Sequence, residues 1–431
     1  MNEILKEKFE NKEAKLAIIG LGYVGLPLAV EFAKSGFRVV GIEVNKQKMK
    51  SLKRGVSYIL DVKNEELSPL VNSGKIEVSS RYKSIRECDA VIICVPTPLR
   101  KTKDPDLSFV MAAVNGVSKN LRPPQLIVLE STTYPGTTEE MVRPLLEKDH
   151  LRIGKNIFLA FSPERVDPGN TKYTTKNIPK IIGGVTPKCT QLAYTLYSQT
   201  IETVIPVSSA TVAEMVKLLE NTFRSVNIAL ANEMALMCDK LGIDVWEVIE
   251  AAATKPFGFM PFYPGPGIGG HCIPIDPLYL TWKARMIGFE ARLIELATQI
   301  NSQMPYFVVD KIADALNENG KSIKNSHIHI LGVAYKADVS DFRESPALDV
   351  ITLLQRKGAI ISYSDPYIPK IDIGTISFKA KSIKEVAKAD CVVLITNHRV
   401  FDYDYIAENA KLIIDTRNAF KGYNKKKIIK L

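Results

Sequence analysis

Cys272 lies in the run Gly265-Pro266-Gly267-Ile268-Gly269-Gly270-His271-Cys272-Ile273-Pro274-Ile275-Asp276. Glycine-rich backbone lets a ligand approach closely, and a thiol placed there is a nucleophile once ionised. Far upstream, Gly20-Leu21-Gly22-Tyr23-Val24-Gly25 has the GxGxxG spacing of a dinucleotide turn. Its first glycine permits the tight turn, its second lets backbone reach a pyrophosphate, and its third lets a helix pack on the preceding strand. A hydride acceptor alone takes an alcohol to an aldehyde. A thiolate can hold that aldehyde as a thiohemiacetal, a second hydride transfer gives a thioester, and water releases an acid. The two features together predict a four-electron oxidation of an alcohol to an acid.

Other residues extend this chemistry. Glu43 follows Gly25 by 18 residues, at the end of the next strand-like run. A carboxylate there binds the ribose hydroxyls and repels a 2′-phosphate, which selects NAD over NADP. Val95-Pro96-Thr97-Pro98 and Ser131-Thr132-Thr133-Tyr134-Pro135-Gly136 both follow apolar runs, where ligands sit if those runs are parallel strands. They also read as ordinary turns. Lys217 and Asn221 are four apart and share one helical face. They can stabilise a developing oxyanion, or simply decorate a solvated face. Asp276 closes the cysteine run and can orient a water or act as acid or base. The alternative for Cys272 is a buried structural thiol, but a core strand has no use for its flanking glycines. His271 beside Cys272 invites a thiol–imidazole pair, yet adjacent side chains usually point apart. No metal is expected, because the five histidines lie in no carboxylate or cysteine cluster.

These residues need elements to carry them. Residues 15–19 and 38–42 read as strands, with a helix over 27–35 between them. Further strand-like runs fall at 90–95, 126–130, 157–161 and 178–182, with helical patterns between several of them. Strands alternating with helices predict a parallel, doubly wound sheet. Residues 209–241 contain neither Pro nor Gly, and apolar positions recur at helical spacing through Val212, Met215, Val216, Leu219, Phe223 and Val226. That predicts one long helix. Helices over 245–253 and 291–319 flank the Pro/Gly loop. Strand–helix alternation restarts at His327, with strands at 327–333, 360–363, 391–396 and 411–415 and helices at 347–357 and 383–387. The expected organisation is an α/β region over 1–207, a helical middle over 208–322 with the cysteine loop, and a second α/β region over 323–431. The expected fold class is therefore two Rossmann-like sheets joined by a long central helix.

The chain has 431 residues, 46% hydrophobic and 24% charged, so it can bury ordinary cores. No apolar run approaches the roughly 20 residues of a membrane span. Residues 1–14 read as a short charged surface helix, not a signal peptide, which makes the cytosol the expected compartment. Cysteines 88, 94, 189, 238, 272 and 391 form no CxxC pair or framework, consistent with reduced thiols, and Cys94 and Cys391 lie in core-like runs. The net charge of +10 is spread along the chain without an aromatic-interleaved basic block, so no nucleic-acid partner is expected. Residues 421–430 read as a short, exposed basic tail.

Taken together, the motifs resemble those of the UDP-sugar 6-dehydrogenase family across nearly the whole chain from Lys15. They are Gly-Leu-Gly-Tyr-Val-Gly-Leu-Pro at 20–27, Val-Pro-Thr-Pro at 95–98 and Ser-Thr-Thr-Tyr-Pro-Gly-Thr-Thr at 131–138, then Ser-Pro-Glu-Arg-Val-Asp-Pro-Gly at 162–169. Lys-Leu-Leu-Glu-Asn-Thr at 217–222, the Cys272 loop, Leu-Gly-Val-Ala-Tyr-Lys-Ala-Asp at 331–338 and Arg-Glu-Ser-Pro-Ala at 343–347 complete them. The resemblance implies that Cys272 is the nucleophile and that Lys217 and Asn221 line the oxyanion position. It implies that Asp276 and Thr132 hold a water and that Glu164 assists thioester hydrolysis. Gly20, Gly22, Tyr23, Val24, Gly25, Glu43, Thr97, Thr132 and Arg343 match positions that hold NAD. Glu164, Arg165, Lys217, Asn221, Tyr263, Gly265, Gly267, Gly269 and Lys336 match positions that hold the UDP-sugar. It also implies that NAD belongs to the first α/β region, UDP to the last, and a homodimer or higher homo-oligomer to the long helix.

Members acting on UDP-glucose usually show Cys-x-Pro-Lys-Asp, where this chain has Ile275, and a second glutamate where it has Pro168. A cation that the neighbouring subunit supplies to the sugar site has no clear match here; Lys255 is only nearby. The runs at 270–277, 255–259 and 279–285 resemble instead the branch that oxidises UDP-N-acetylhexosamines, UDP-N-acetylglucosamine above all, for surface-polysaccharide and O-antigen synthesis. The N-acetylmannosamine, N-acetylgalactosamine and glucose substrates remain alternatives. So do a two-electron hydroxy-acid dehydrogenase, which has no need of Cys272, and a non-catalytic sugar-nucleotide-binding protein.

Overall fold

A computed structural model describes residues 2–59, 61–100, 102–167, 170, 172–270, 272–423 and 425–431. Pro168, Gly169 and His271 of the motifs above lie outside them. The chain forms two compact units, Met1–Glu220 with Leu278–Gly288, and Asn221–Pro277 with Phe289–Leu431.

The first unit is built on eight strands: β1 (Lys15–Ile19), β2 (Arg38–Ile42), β3 (Ile76–Ser79), β4 (Ala90–Ile93), β5 (Gln125–Leu129), β6 (Ile157–Phe161), β7 (Lys180–Gly184) and β8 (Val204–Val207). Their order is β3-β2-β1-β4-β5-β6-β7-β8. The apolar runs of β4, β5 and β6 are buried throughout, as strands covered on both faces must be. Strand order reverses between β1 and β4, which places the loops after them at the crevice where ligands bind in such sheets. All pairs are parallel except β6 and β7, which run antiparallel at Ala160↔Gly184 and Phe161↔Gly183. An antiparallel return needs no helical crossover, and the segment between β6 and β7 contains no regular helix among its described residues.

The second unit carries β9 (His327–Leu331), β10 (Ile360–Ser364), a hairpin of β11 (Lys370–Ile373) and β12 (Ile376–Lys379), then β13 (Cys391–Leu394), β14 (Ile413–Asp415) and β15 (Ile428–Lys430). The parallel sheet has the order β10-β9-β13-β14-β15, again reversing beside its first strand. Its core joins Ile328, Ile330, Val393 and Ile414 to Val308 and Ile312 of the helix Arg292–Glu318 and to Val350 and Leu354 of the helix Pro346–Arg356.

The central helix is one element, Ala210–Leu241, stopping at Gly242 with φ +70°. Asp244 then caps the helix Val245–Ala252 by accepting from the N–H groups of Trp246 and Glu247.

Three expectations need correction. The first helix, Asn2–Glu10, is not purely a surface element, because Leu5 and Phe9 on one face are fully buried. Residues 383–387 form a 3-10 turn instead of an α-helix. The basic tail is not simply exposed. Ile428 and Ile429 pair with Ile413 and Ile414 as an edge strand, and the lysines Lys421 and Lys430 reach Glu250 and Asp244. The isoleucines occupy two of the three paired positions, and the lysines on either side of them masked the strand.

Candidate active site

In the first unit the glycine turn connects β1 to the helix Gly25–Lys34. A Cβ on Gly25 would lie 1.9 Å from the Gly20 carbonyl oxygen, so only glycine lets the helix start so close to the strand. A Cβ on Gly22 would meet nothing within 4 Å, leaving backbone open on the side a pyrophosphate needs. Tyr23 is exposed and Val24 precedes the helix. Glu43 is buried beside this turn. Its carboxylate accepts from Leu21 N at 3.3 Å and from Asn45 N at 2.9 Å. Tyr58, which the sequence reading passed over, donates to the Leu21 carbonyl at 2.5 Å. An open glycine, a helix N-terminus and a buried carboxylate beside the turn fit a dinucleotide.

Thr97 follows β4, and its carbonyl accepts from the Tyr279 hydroxyl at 3.0 Å, with Pro98 O at 3.2 Å. Thr132 follows β5, and its loop continues to Tyr134, whose ring lies 4.9 Å from that of Trp282. The same loop is braced by buried Glu214, which accepts from Gly136 N (2.6 Å), Thr138 N (2.8 Å) and Thr138 Oγ1 (2.6 Å). Burial pushes the Glu214 carboxyl up to about 7 against those donors.

Glu164 follows β6 and belongs to a buried ionic chain. Lys180 Nζ lies 3.2 Å from Glu164 Oε2 and 3.0 Å from Glu130 Oε2, and Tyr197 donates to Glu130 Oε1. Burial would raise the Glu164 carboxyl, but the Lys180 ammonium and the N–H groups of Val166 and Arg165 hold it below the usual carboxylate range. Glu130 moves the other way, raised by burial. Arg165 reaches Glu220 of the central helix at 2.6 Å and the Pro179 carbonyl at 2.6 Å. Lys217, on that helix one turn before Asn221, is buried. Buried polar side chains on this helix contradict the reading of a merely solvated face.

In the second unit Cys272 is exposed, so it is not a core thiol. Its carbonyl accepts from Ile275 N (3.1 Å) and Asp276 N (2.8 Å), a turn that leads directly into the helix Asp276–Met286. Asp276 is buried and takes a 2.5 Å hydrogen bond from Asn221 Nδ2. The structure therefore brings Asn221, Cys272 and Asp276 to one place. Arg343 donates from Nη2 to Asp341 at 2.7 Å, and its carbonyl accepts from Gly270 N at 3.3 Å. Gly265 N donates to buried Asn232 (2.9 Å), which in turn holds Asn301 (2.9 Å). Tyr263 stacks on Trp246 at 5.9 Å between ring centroids. Gly267 and Gly269 lie against Pro346, and Lys336 is half-buried in the loop after β9.

Arg417 is a residue the sequence reading missed. A Cβ on Gly265 would come within 2.6 Å of its Nη1, its Nε donates to the Ile395 carbonyl at 2.9 Å, and burial lowers it to about 10. Its signal in the sequence was an arginine two residues after the end of a strand, where ligands bind.

His327 and His329 engage side chains of their own sheet. His329 Nδ1 lies 2.7 Å from Ser362 Oγ and its Nε2 2.9 Å from Ser364 Oγ, while burial and His327 lower its pKa to about 4.

Two sheets with reversed strand order, one parallel throughout and one parallel but for a single pair, a glycine turn shaped for a dinucleotide, and an exposed cysteine on a glycine loop define a dinucleotide-dependent dehydrogenase. The sequence matches the UDP-glucose/GDP-mannose dehydrogenase family in all three of its parts: the NAD binding domain over 14–201, the central domain over 211–303 and the UDP binding domain over 329–422. The chain belongs to this family. It is 38% identical to UDP-N-acetyl-D-mannosamine dehydrogenase of Pyrococcus horikoshii, over 94% of this chain and 96% of that protein. It is 37% identical to UDP-N-acetyl-D-glucosamine 6-dehydrogenase of Salmonella typhi, over 90% of this chain and 91% of that protein. The solved UDP-D-ManNAc dehydrogenase of Pyrococcus horikoshii superposes with a TM-score of 0.88 at 36% identity, covering 96% of this chain and 98% of its own. The chain is accordingly an NAD-dependent UDP-sugar dehydrogenase. Among the described residues no helix is long and apolar enough to cross a membrane.

Proposed function

We propose that this enzyme oxidises C6 of a UDP-N-acetylhexosamine, UDP-N-acetylglucosamine foremost, to the uronic acid through a thioester on Cys272. The observation that carries this reading is the exposed Cys272 whose turn delivers Asp276 to Asn221. NAD, held by Gly20, Gly22, Tyr23, Val24, Gly25, Glu43, Thr97, Thr132 and Arg343, supplies a hydride acceptor for each of the two oxidations. The Cys272 thiolate adds to the C6 aldehyde, and the carbonyl electrons move onto oxygen, where Lys217 and Asn221 stabilise the charge. The second oxidation leaves C6 as a thioester. Asp276 and Thr132 position a water, Glu164 assists its attack, and the C–S bond breaks to give the carboxylate and the thiolate. The Lys180 ammonium and nearby N–H groups keep Glu164 in its ionised form. Glu164, Arg165, Lys217, Asn221, Tyr263, Gly265, Gly267, Gly269 and Lys336 hold the UDP-sugar.

This reading divides the chain into an NAD-binding part (1–207), a central part with the cysteine loop (208–322) and a UDP-sugar-binding part (323–431). It works in the cytosol, in surface-polysaccharide synthesis. The central helix leaves Val212, Met215, Leu219, Phe223, Leu230, Met237 and Leu241 exposed, and a second copy of the chain covers them in a homodimer.

The absence of lysine at Ile275 supports an acetamido substrate over UDP-glucose. A site that hydrogen-bonds an amide leaves polar groups unpaired when the sugar carries a hydroxyl. UDP-N-acetylmannosamine is the second reading, favoured by the Pyrococcus horikoshii enzyme and its solved structure. The test is NADH release with a panel of purified UDP-sugars. UDP-N-acetylglucosamine should exceed UDP-glucose by at least about tenfold in kcat/KM, with two NADH and one 6-carboxylate per sugar. Better turnover of the manno epimer would transfer the assignment to it, and equal or better use of UDP-glucose would remove the acetamido requirement.

A further inference from the structure

His398 is fully buried in the second unit, in the loop after β13. β13 is the parallel neighbour of β9, and strand order reverses at β9. The loop after β9 runs over 332–338 and contains Lys336. Both ring nitrogens of His398 are engaged. Asp338 N lies 2.9 Å from Nδ1 and can only donate, so Nδ1 accepts and the ring proton sits on Nε2. Nε2 then donates to Asp365 Oδ2 at 3.1 Å. The same carboxylate oxygen accepts from Val333 N (2.7 Å) and Ala334 N (3.0 Å), while Oδ1 accepts from Tyr367 N and Ile368 N.

His398 thus grips both ends of the loop that presents Lys336: the start through Asp365, the finish through Asp338. Asp338 has a left-handed backbone (φ +62°), a conformation a non-glycine residue keeps only when its surroundings hold it. Its carboxylate is held in turn by Arg399 N at 3.0 Å and Arg399 Nε at 2.5 Å. Thr396 Oγ1 donates to the Ala334 carbonyl at 2.6 Å. The imidazole is wedged between Tyr367 and Phe401, with ring centroids 5.0 and 5.3 Å away.

We propose that His398 is a positioning residue for the nucleotide: as a neutral imidazole it clamps the loop over 332–338 in the conformation that presents Lys336 to the UDP moiety. The inference rests on the reading that Lys336 contacts the UDP-sugar. It is tested on the full chain with UDP itself, titrated by calorimetry, so that turnover is not the readout. His398→Gln keeps a donor for Asp365 and withdraws the acceptor from Asp338 N. An unpaired buried N–H should weaken UDP binding by at least about tenfold. His398→Asn places Oδ1 near the position of Nδ1 and gives up the donor to Asp365, whose carboxylate still holds Val333 N and Ala334 N. It should restore affinity to within about threefold of the wild type, since the acceptor that Asp338 needs is retained. Lys336→Ala is the control. If it leaves UDP affinity unchanged, the reading of Lys336 fails. If it weakens binding while His398→Gln does not, the clamp fails and Lys336 stands. Hydrogen exchange on the wild-type chain without UDP gives a test that no folding defect can obscure. The amides of Val333, Ala334 and Asp338 should be protected before UDP is added, and solvent-rate exchange at all three would overturn the clamp.

Discussion

Asn221 and Asp276 are 55 residues apart in sequence, yet Asn221 Nδ2 donates to Asp276 Oδ2 over 2.5 Å with both side chains buried. This bond ties an amide of the central helix to the carboxylate that follows the cysteine loop. Asp276→Asn should therefore lower kcat by about 10²–10⁴-fold, the usual scale of a lost acid–base group, with a much smaller change in the KM for UDP-sugar. Residues that act as a unit are not additive, so the double variant Asn221→Ala/Asp276→Asn should be little worse than the worse single variant. Multiplying losses would mean that the two side chains act separately.

Cys272 is tested by its products. Cys272→Ala should form neither acid nor net NADH, because no acyl group can be held. Cys272→Ser should trap the sugar as an ester that hydrolyses slowly, visible as a covalent adduct by mass spectrometry, since an alkoxide is a poorer leaving group than a thiolate. Acid production by Cys272→Ala at the wild-type rate would exclude the covalent route.

Glu43 braces the glycine turn through Leu21 N and Asn45 N. The wild type should use NAD with at least about tenfold higher kcat/KM than NADP, because a carboxylate next to the 2′-phosphate is a like-charge contact. Glu43→Ser should raise the KM for NAD and narrow that ratio. Equal efficiency with both cofactors in the wild type would show that Glu43 does not face the ribose.

Glu214 gives the fold a pH dependence of defined sign. Its carboxyl is raised from an ordinary 4.5 to about 7, so between those values the folded state binds a proton that the unfolded chain has released. The stabilisation is complete below pH 4.5 and is lost as pH rises through about 7, amounting to about 3 kcal/mol at 1.36 kcal/mol per pKa unit. Thermal or urea melts across that window should show stability from this group falling with pH. Glu214→Gln should remove that component of the slope, whatever constant offset the amide introduces. An unchanged slope would mean that Glu214 stays ionised.

Much of this arrangement can be read from residues alone, and the exceptions share a cause. β1 and the glycine turn are legible because consecutive buried positions and three spaced glycines are local signals. The central helix is legible within one residue, because no Pro or Gly interrupts Ala210–Leu241 and Gly242 ends it. The direction of β7 against β6 is not legible, since an apolar run reads the same in a parallel or antiparallel pair. Nor is the burial of Lys180, whose neighbours Glu130 and Glu164 are 50 and 16 residues away. Arg417 and Glu214 were overlooked for the same reason: each acquires its meaning from a backbone segment distant in sequence. Cys272, Asn221 and Asp276 were legible as types. Only the fold shows the carboxylate and the amide bonded to each other.

The chain has two tryptophans, and each packs on a tyrosine of a different loop: Trp246 stacks on Tyr263, and Trp282 lies tilted against Tyr134. Trp246 is fixed further by its indole N–H, which donates to the Leu431 carbonyl at 3.2 Å. The native emission of the protein is therefore the sum of two tryptophans in two different packing environments. Replacing Trp282 with Phe leaves one fluorophore that reports on the Tyr263 loop, and replacing Trp246 with Phe leaves one that reports on the loop after Thr132. On the proposed site assignment, UDP should change the emission of the first variant and NAD that of the second, each followed in its own sample without a dye or a coupled assay.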